Sequence, residues 1–119
     1  MLTLSERLVA DNHIWQLANS AKVGVRRSRA WDTSEAEWSI RKVFIPRHTL
    51  TALDYLVALH EIGHIVLELE HDDPEPLTAE ARAWDFALRV ANQGILDKMT
   101  KTDWRRMGLC WASHVGPVF

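Results

Sequence analysis

Residues 53–71, LDYLVALHEIGHIVLELEH, join a long apolar run to three ionisable side chains within five positions. Leu53, Leu56, Val57, Leu59, Ile62, Ile65 and Leu67 recur at helical spacing and cover enough of the surface to predict a helix buried in a core. Inside it stands His60-Glu61-Ile62-Gly63-His64. Two histidines four residues apart emerge one turn apart on the same helix face, so both imidazoles can reach one ion. Buried ionisable groups need partners, and three of them in a core helix would be costly without a metal. Random placement of the chain's His and Glu residues produces such a pattern only about 0.02 times, so the spacing carries information.

Zinc suits two neutral imidazoles and a carboxylate, with the fourth position left for water. Glu61 is read as a base rather than a ligand, able to take a water's proton and pass it to a leaving amine. Gly63 weakens the helix, which makes sense where another segment approaches closely. The third ligand must come from elsewhere. Counting about 100° per residue, Glu80 lies roughly 60° from the centre of its own helix's apolar stripe, on the core-facing edge. Asp85 falls on the opposite edge. Glu68 and Glu70 end the metal helix itself, and Asp72, Asp73 and Glu75 look solvated in a loop, HDDPEP (71–76). Glu80 is therefore the first choice and His71 the next.

Towards the N-terminus, Leu4, Leu8, Trp15 and Ala18 keep helical spacing, which predicts a helix over about 4–20 with its apolar side on the core. Thr3 and Glu6 have the spacing of a capping box. KVGVRRSRAW (22–31) and WSIRKVFI (38–45) are rich in β-branched and aromatic residues, with polar DTSEAE (32–37) between them. They predict a β-hairpin or two strands of a small antiparallel sheet, with Trp38, Ile40 and Phe44 sharing a face. Thr49 or Thr51 would cap the metal helix, which runs to about Glu68 or Leu69. Thr78 would cap a second long helix to about Ile95, with its stripe on Leu77, Ala81, Trp84, Leu88, Ala91 and Ile95. Residues 102–114 predict a short tail helix. The expected fold class is α+β, with a small antiparallel sheet packed on the long HExxH helix and further helices.

The 119 residues, 47% hydrophobic and 25% charged, suffice for one domain, 1–119. A formal charge of −2 argues against direct nucleic-acid binding through bulk positive charge. The basic clusters, Arg26, Arg27 and Arg29 with Arg105 and Arg106, read as a solvated face. Cys110 is the single cysteine and cannot form an internal disulfide. No secretory leader or membrane span is visible, so the expected location is cytoplasmic.

The residues LDYLVALHEIGHIVLELEH (53–71) and EARAWDFAL (80–88) resemble a zincin metallopeptidase, specifically the ImmA/IrrE family of phage and bacterial proteins. The resemblance covers about half the chain and is strongest at HEIGH. It implies a compact, zincin-like α+β fold, one catalytic zinc per chain and limited proteolysis, often of a repressor-type regulator. That family often shows two Glu residues two apart, whereas this chain has Glu80 and then Arg82, which cannot bind zinc.

The expected activity is thus that of a zinc-dependent metalloendopeptidase, with His60, His64 and Glu80 as metal ligands, Glu61 as the catalytic base and a protein or peptide as substrate. The alternative is a zinc-binding regulatory module that holds a partner without cleaving it. Tyr55 is read as core, since it lies roughly 180° around its helix from His64. His13, His48 and His114 are weaker candidates for steadying an oxyanion, with His114 preferred. The six tryptophans, Trp15, Trp31, Trp38, Trp84, Trp104 and Trp111, read mainly as packing. An exposed sheet edge beside the metal helix could pair with an extended substrate.

Overall fold

The structure is a computed structural model and describes residues 1–28, 35–37, 40–46, 48–68 and 76–115. Eight elements follow in chain order: α1 (Leu4–Ser20), β1 (Gly24–Ser28), β2 (Glu35–Glu37), β3 (Lys42–Pro46), α2 (Ala52–Glu68), α3 (Pro76–Val90), α4 (Gln93–Leu96) and α5 (Lys101–Val115).

α2 is the central element and packs against α1, α3, α4, α5, β2 and β3. Tyr55, Leu56, Leu59, Ile62 and Ile65 are fully buried along it. At roughly 1.5–3 kcal/mol for each large apolar side chain removed from water, this helix anchors the core. Its start is fixed locally. Thr51 Oγ1 accepts from the Asp54 N–H at 3.1 Å, and Asp54 Oδ2 accepts from the Thr51 and Leu50 N–H groups at 3.0 Å each. Thr51 rather than Thr49 is therefore the cap.

The sheet is mixed, in the order β1-β3-β2, and not the antiparallel sheet expected from the sequence. β1 pairs with β3 in parallel, Val25 opposite Val43, while β2 pairs with β3 antiparallel, Ala36 opposite Val43. A tight turn between β1 and β3 would have forced them antiparallel. The polar DTSEAE segment, read as a turn, instead contributes β2 on the far side of β3, leaving room for a parallel return. The buried side of β3 is Val43 and Ile45, whereas Phe44 is half-buried and Ile40 is 57% exposed. Arg41 adopts φ 49°, so the two-residue alternation counted from Ile40 does not carry across it. Its guanidinium is tied to the carbonyls of Ala21 and Lys22 at 2.5 and 3.3 Å.

The Thr3–Glu6 capping box opens α1, but the helix faces the core differently from the predicted stripe. Leu2, Ala10, Ile14 and Ala18 are buried, while Leu4, Leu8 and Trp15 are 71%, 60% and 64% exposed. Of the predicted row only Ala18 faces the core, and Ala10 and Ile14 join it there. Among the other tryptophans, Trp84 is buried and Trp104 is 42% exposed; Trp31, Trp38 and the Trp111 side chain lie outside the described residues.

α3 ends at Val90, earlier than predicted, because Asn92 caps a new turn by accepting from the Ile95 N–H at 3.2 Å. Ile95 fills the core from α4. α5 is capped by Thr100, whose hydroxyl accepts from the Asp103 N–H at 3.0 Å. No described helix is long and apolar enough to cross a membrane.

Candidate metal centre

Four of the five HEIGH residues, His60, Glu61, Ile62 and Gly63, are buried, and His64 is half-buried. The α2 helix presents His60 and His64 toward α3, where Glu80 stands 7% exposed. His60 Nε2 lies 2.8 Å from Glu80 Oε2, and His64 Nε2 lies 2.9 Å from Glu80 Oε1. One ligand atom from each of the three residues falls within 4.8 Å of the other two. Two Nε2 atoms and one carboxylate converge from two helices.

Helix packing explains the convergence. On α3 the buried face is Glu80, Ala83, Trp84 and Ala87, rotated from the predicted stripe toward Glu80. A Cβ built on Gly63 would lie 2.7 Å from Phe86 Cδ1 and 3.3 Å from the Ala83 carbonyl oxygen. With no side chain on Gly63, α3 approaches through the Phe86 ring and the Ala83 backbone, and the closeness carries the Glu80 carboxylate to both imidazoles. The approach expected opposite Gly63 comes from α3.

The charges respond to this enclosure. Burial alone would raise the Glu80 carboxyl, yet hydrogen bonds to His60 and His64 and their charges outweigh it and hold the group far below the usual carboxylate range. Burial likewise would lower His60, but the carboxylates of Glu61 and Glu80 outweigh it and raise the imidazole above its ordinary value. The cluster therefore favours bound positive charge beside a carboxylate, a role open to either a proton or a cation.

Glu61 is 8% exposed and stands outside the triad, with Oε1 3.2 Å from His60 Nδ1. That approach lacks hydrogen-bond alignment, so His60 Nδ1 is buried with no hydrogen-bond partner among the described residues. Trp84, one turn beyond Glu80, stacks on His60 with ring centroids 3.9 Å apart and planes 12° apart. The sequence marks Trp84 as packing only; its position four residues after Glu80 was the signal that it shares the site.

The remaining candidates lie elsewhere. Asp85 is exposed and pairs with Arg89 at 3.1 Å. His71, Glu70, Asp72, Asp73 and Glu75 lie outside the described residues, as do the side chains of Glu68 and His114. His48 is exposed. Tyr55 is completely buried; its hydroxyl accepts from the Asn92 N–H at 2.7 Å and makes a short contact with His13 Nδ1. Burial raises the tyrosine and lowers the histidine. His13 opens onto a shallow cleft of about 470 Å³ with Val9, Asn12, Gln16, Val90 and Asn92, none of them a triad residue. Arg26, Arg105 and Arg106 are exposed, and Arg27 is tied to Asp11 at 2.7 Å. Arg29 lies outside the described residues.

No protein-family model, no curated protein and no solved structure matches this chain.

Proposed function

We propose that this chain is a zinc-dependent metalloendopeptidase of zincin type, with one zinc held by His60, His64 and Glu80 and with Glu61 as the base. The observation that carries the reading is the convergence of His60 Nε2, His64 Nε2 and a Glu80 oxygen on one point between α2 and α3. The donor set fits: two neutral imidazoles and one carboxylate are the three-ligand complement of a catalytic zinc site that keeps a position open. Magnesium and calcium, which prefer sites built of oxygen donors, fit it less well.

When bound, zinc supplies Lewis-acid polarisation of a carbonyl and makes a water's proton easier to lose. The protein's residues do the rest. Glu80 neutralises the centre and, with the two imidazoles, fixes its geometry. Glu61 accepts on a carboxylate oxygen the proton released as water attacks the scissile carbonyl carbon. It then returns that proton to the amide nitrogen as the carbon–nitrogen bond breaks. Glu61 itself is only 8% exposed, which limits its contact with bulk water.

The likeness of HEIGH and EARAWDFAL to the ImmA/IrrE peptidases supports a protein substrate, a repressor-type regulator among those it would cut, in a cytoplasmic setting. No direct role for nucleic acid follows from a chain of formal charge −2.

One observation favours a second reading. The Glu61 carboxylate rests beside His60 Nδ1 and outside the triad, where its charge can support the imidazole without taking part in chemistry. With Glu61 so employed, the chain would bind zinc and hold a partner protein uncut. Glu61→Gln separates the two. Under the peptidase reading the variant keeps about one zinc per chain and loses hydrolysis of a protein substrate by about 100-fold or more. A variant that cleaves as well as the parent refutes the assigned base, and a parent that retains an intact partner while loaded with zinc supports the binding module.

A further inference from the structure

We infer that Trp84 is a positioning residue for His60, setting the plane of the metal-binding imidazole by stacking where a hydrogen bond would ordinarily do so. The inference rests on the zinc reading above. For His60 Nε2 to meet the same point as His64 and Glu80, rotation of the ring about its bond to the backbone side must be restricted. In metal sites that restriction usually comes from the other ring nitrogen, which donates to a carboxylate, carbonyl or water.

Here the other nitrogen does not do it. His60 Nδ1 is buried without a hydrogen-bond partner among the described residues, and the nearby Glu61 oxygen is out of line. Nε2 meets Glu80 at 2.8 Å, and beyond that contact the ring is held by its face and edge. The indole of Trp84 lies nearly parallel against one face, 3.9 Å between centroids at 12°. The His64 ring meets it edge-on, 4.5 Å away at 72°. A turn of the His60 imidazole in either direction breaks the stack with the indole.

Trp84 is 5% exposed, and its own Nε1 is buried with no hydrogen-bond partner among the described residues. An unmatched buried N–H is unfavourable, so the polar atom does not hold the indole in place. What the residue contributes is its flat face. It also sits one turn beyond Glu80 on α3, so a single stretch of helix delivers both the carboxylate ligand and the plate against which the imidazole lies. Simple core filling predicts that any apolar side chain of adequate volume would serve; positioning predicts that the aromatic face itself is required.

The test compares Trp84→Phe with Trp84→Leu in the full chain, with zinc ion as the probe. Zinc affinity is measured by competition with a chromogenic chelator, and thermal melting of the metal-free proteins is measured alongside. Trp84→Phe keeps a stacking face and is expected to bind zinc within about threefold of the parent, whereas Trp84→Leu loses on the order of 10- to 100-fold. The metal-free melting points of both variants fall by similar amounts, so the loss of affinity does not follow stability. If Trp84→Leu does not fold, Trp84→Met makes the same comparison. Equal zinc affinity in the aliphatic variant and the parent overturns the inference, as does an equal loss in the Phe and aliphatic variants. A parent chain that binds no zinc removes the underlying reading and this role with it, whereas a zinc-binding parent with an unaffected aliphatic variant removes only the role of Trp84.

Discussion

Gly63→Ala makes the most informative perturbation of the site, because two opposing effects of known size meet at one atom. In a helix interior alanine is favoured over glycine by about 0.5–1 kcal/mol. At an open position the substitution would therefore stabilise the protein. At Gly63 the added Cβ would lie 2.7 Å from Phe86 Cδ1, 3.3 Å from Phe86 Cγ and 3.3 Å from the Ala83 carbonyl oxygen. Carbon atoms settle at about 3.5–4.0 Å, so the Phe86 ring must withdraw by about 1 Å. The ring has some freedom, but the Ala83 carbonyl is backbone and moves only with α3. Overpacking of this kind costs about 1–3 kcal/mol, which exceeds the helical gain and leaves the variant destabilised by up to about 2 kcal/mol. Melting of the metal-free protein should fall by several degrees, at roughly 4 °C per kcal/mol. The larger effect is on the site. Glu80 rides on the displaced helix, so its contacts of 2.8 and 2.9 Å with the two imidazoles open together. Zinc affinity, read by chelator competition, is expected to fall on the order of 10- to 100-fold. A Gly63→Ala protein that melts higher than the parent and binds zinc as tightly would refute the close-approach argument.

Two further outcomes follow from the same geometry. Glu80 is depressed from an ordinary value of 4.5, so its stabilising contribution is present above pH 4.5 and is lost as pH falls toward its folded value; His60 is raised from 6.5, so its contribution is full below pH 6.5 and is lost as pH rises through its folded value. Urea unfolding of the metal-free protein should therefore show greatest stability between those limits, and Glu80→Gln should flatten the profile on both sides; an unchanged profile would contradict the His60–Glu80 pairing. On α1, Leu8→Ala should alter stability by no more than about 0.5 kcal/mol while Ile14→Ala costs about 2–5 kcal/mol, and the reverse order would show that the helix packs through its other row.

Much of the centre was legible because it lies within one helix. His60 and His64 are four residues apart, and the 3.6-residue period places both on one face before any tertiary contact forms. The caps are equally local: Thr3 with Glu6 uses a side chain and a backbone N–H three residues away. Glu80 was reachable by counting angles on its own helix, though the count put it at the edge of the buried face and packing put it inside. Other features depend on partners that spacing does not name. The order β1-β3-β2 arises from a crossover through a segment too polar to read as a strand. On α1 the periodicity marks an apolar row at Leu4, Leu8, Trp15 and Ala18, of which Ala18 is buried, together with Ala10 and Ile14 from outside the row.

By itself, then, the order of residues determined the helix that carries both imidazoles one turn apart and the caps of α1 and α2, since each depends on groups within about four positions of one another, whereas α3 begins at Pro76, ahead of its expected cap Thr78. The tertiary structure alone decided which row of α1 is covered, that β1 and β3 run parallel, and that Trp84 lies flat on His60. These are contacts between elements distant in sequence, settled by the shapes that fit: a glycine against Phe86 and the Ala83 carbonyl lets α3 come close enough for Glu80 to reach both histidines.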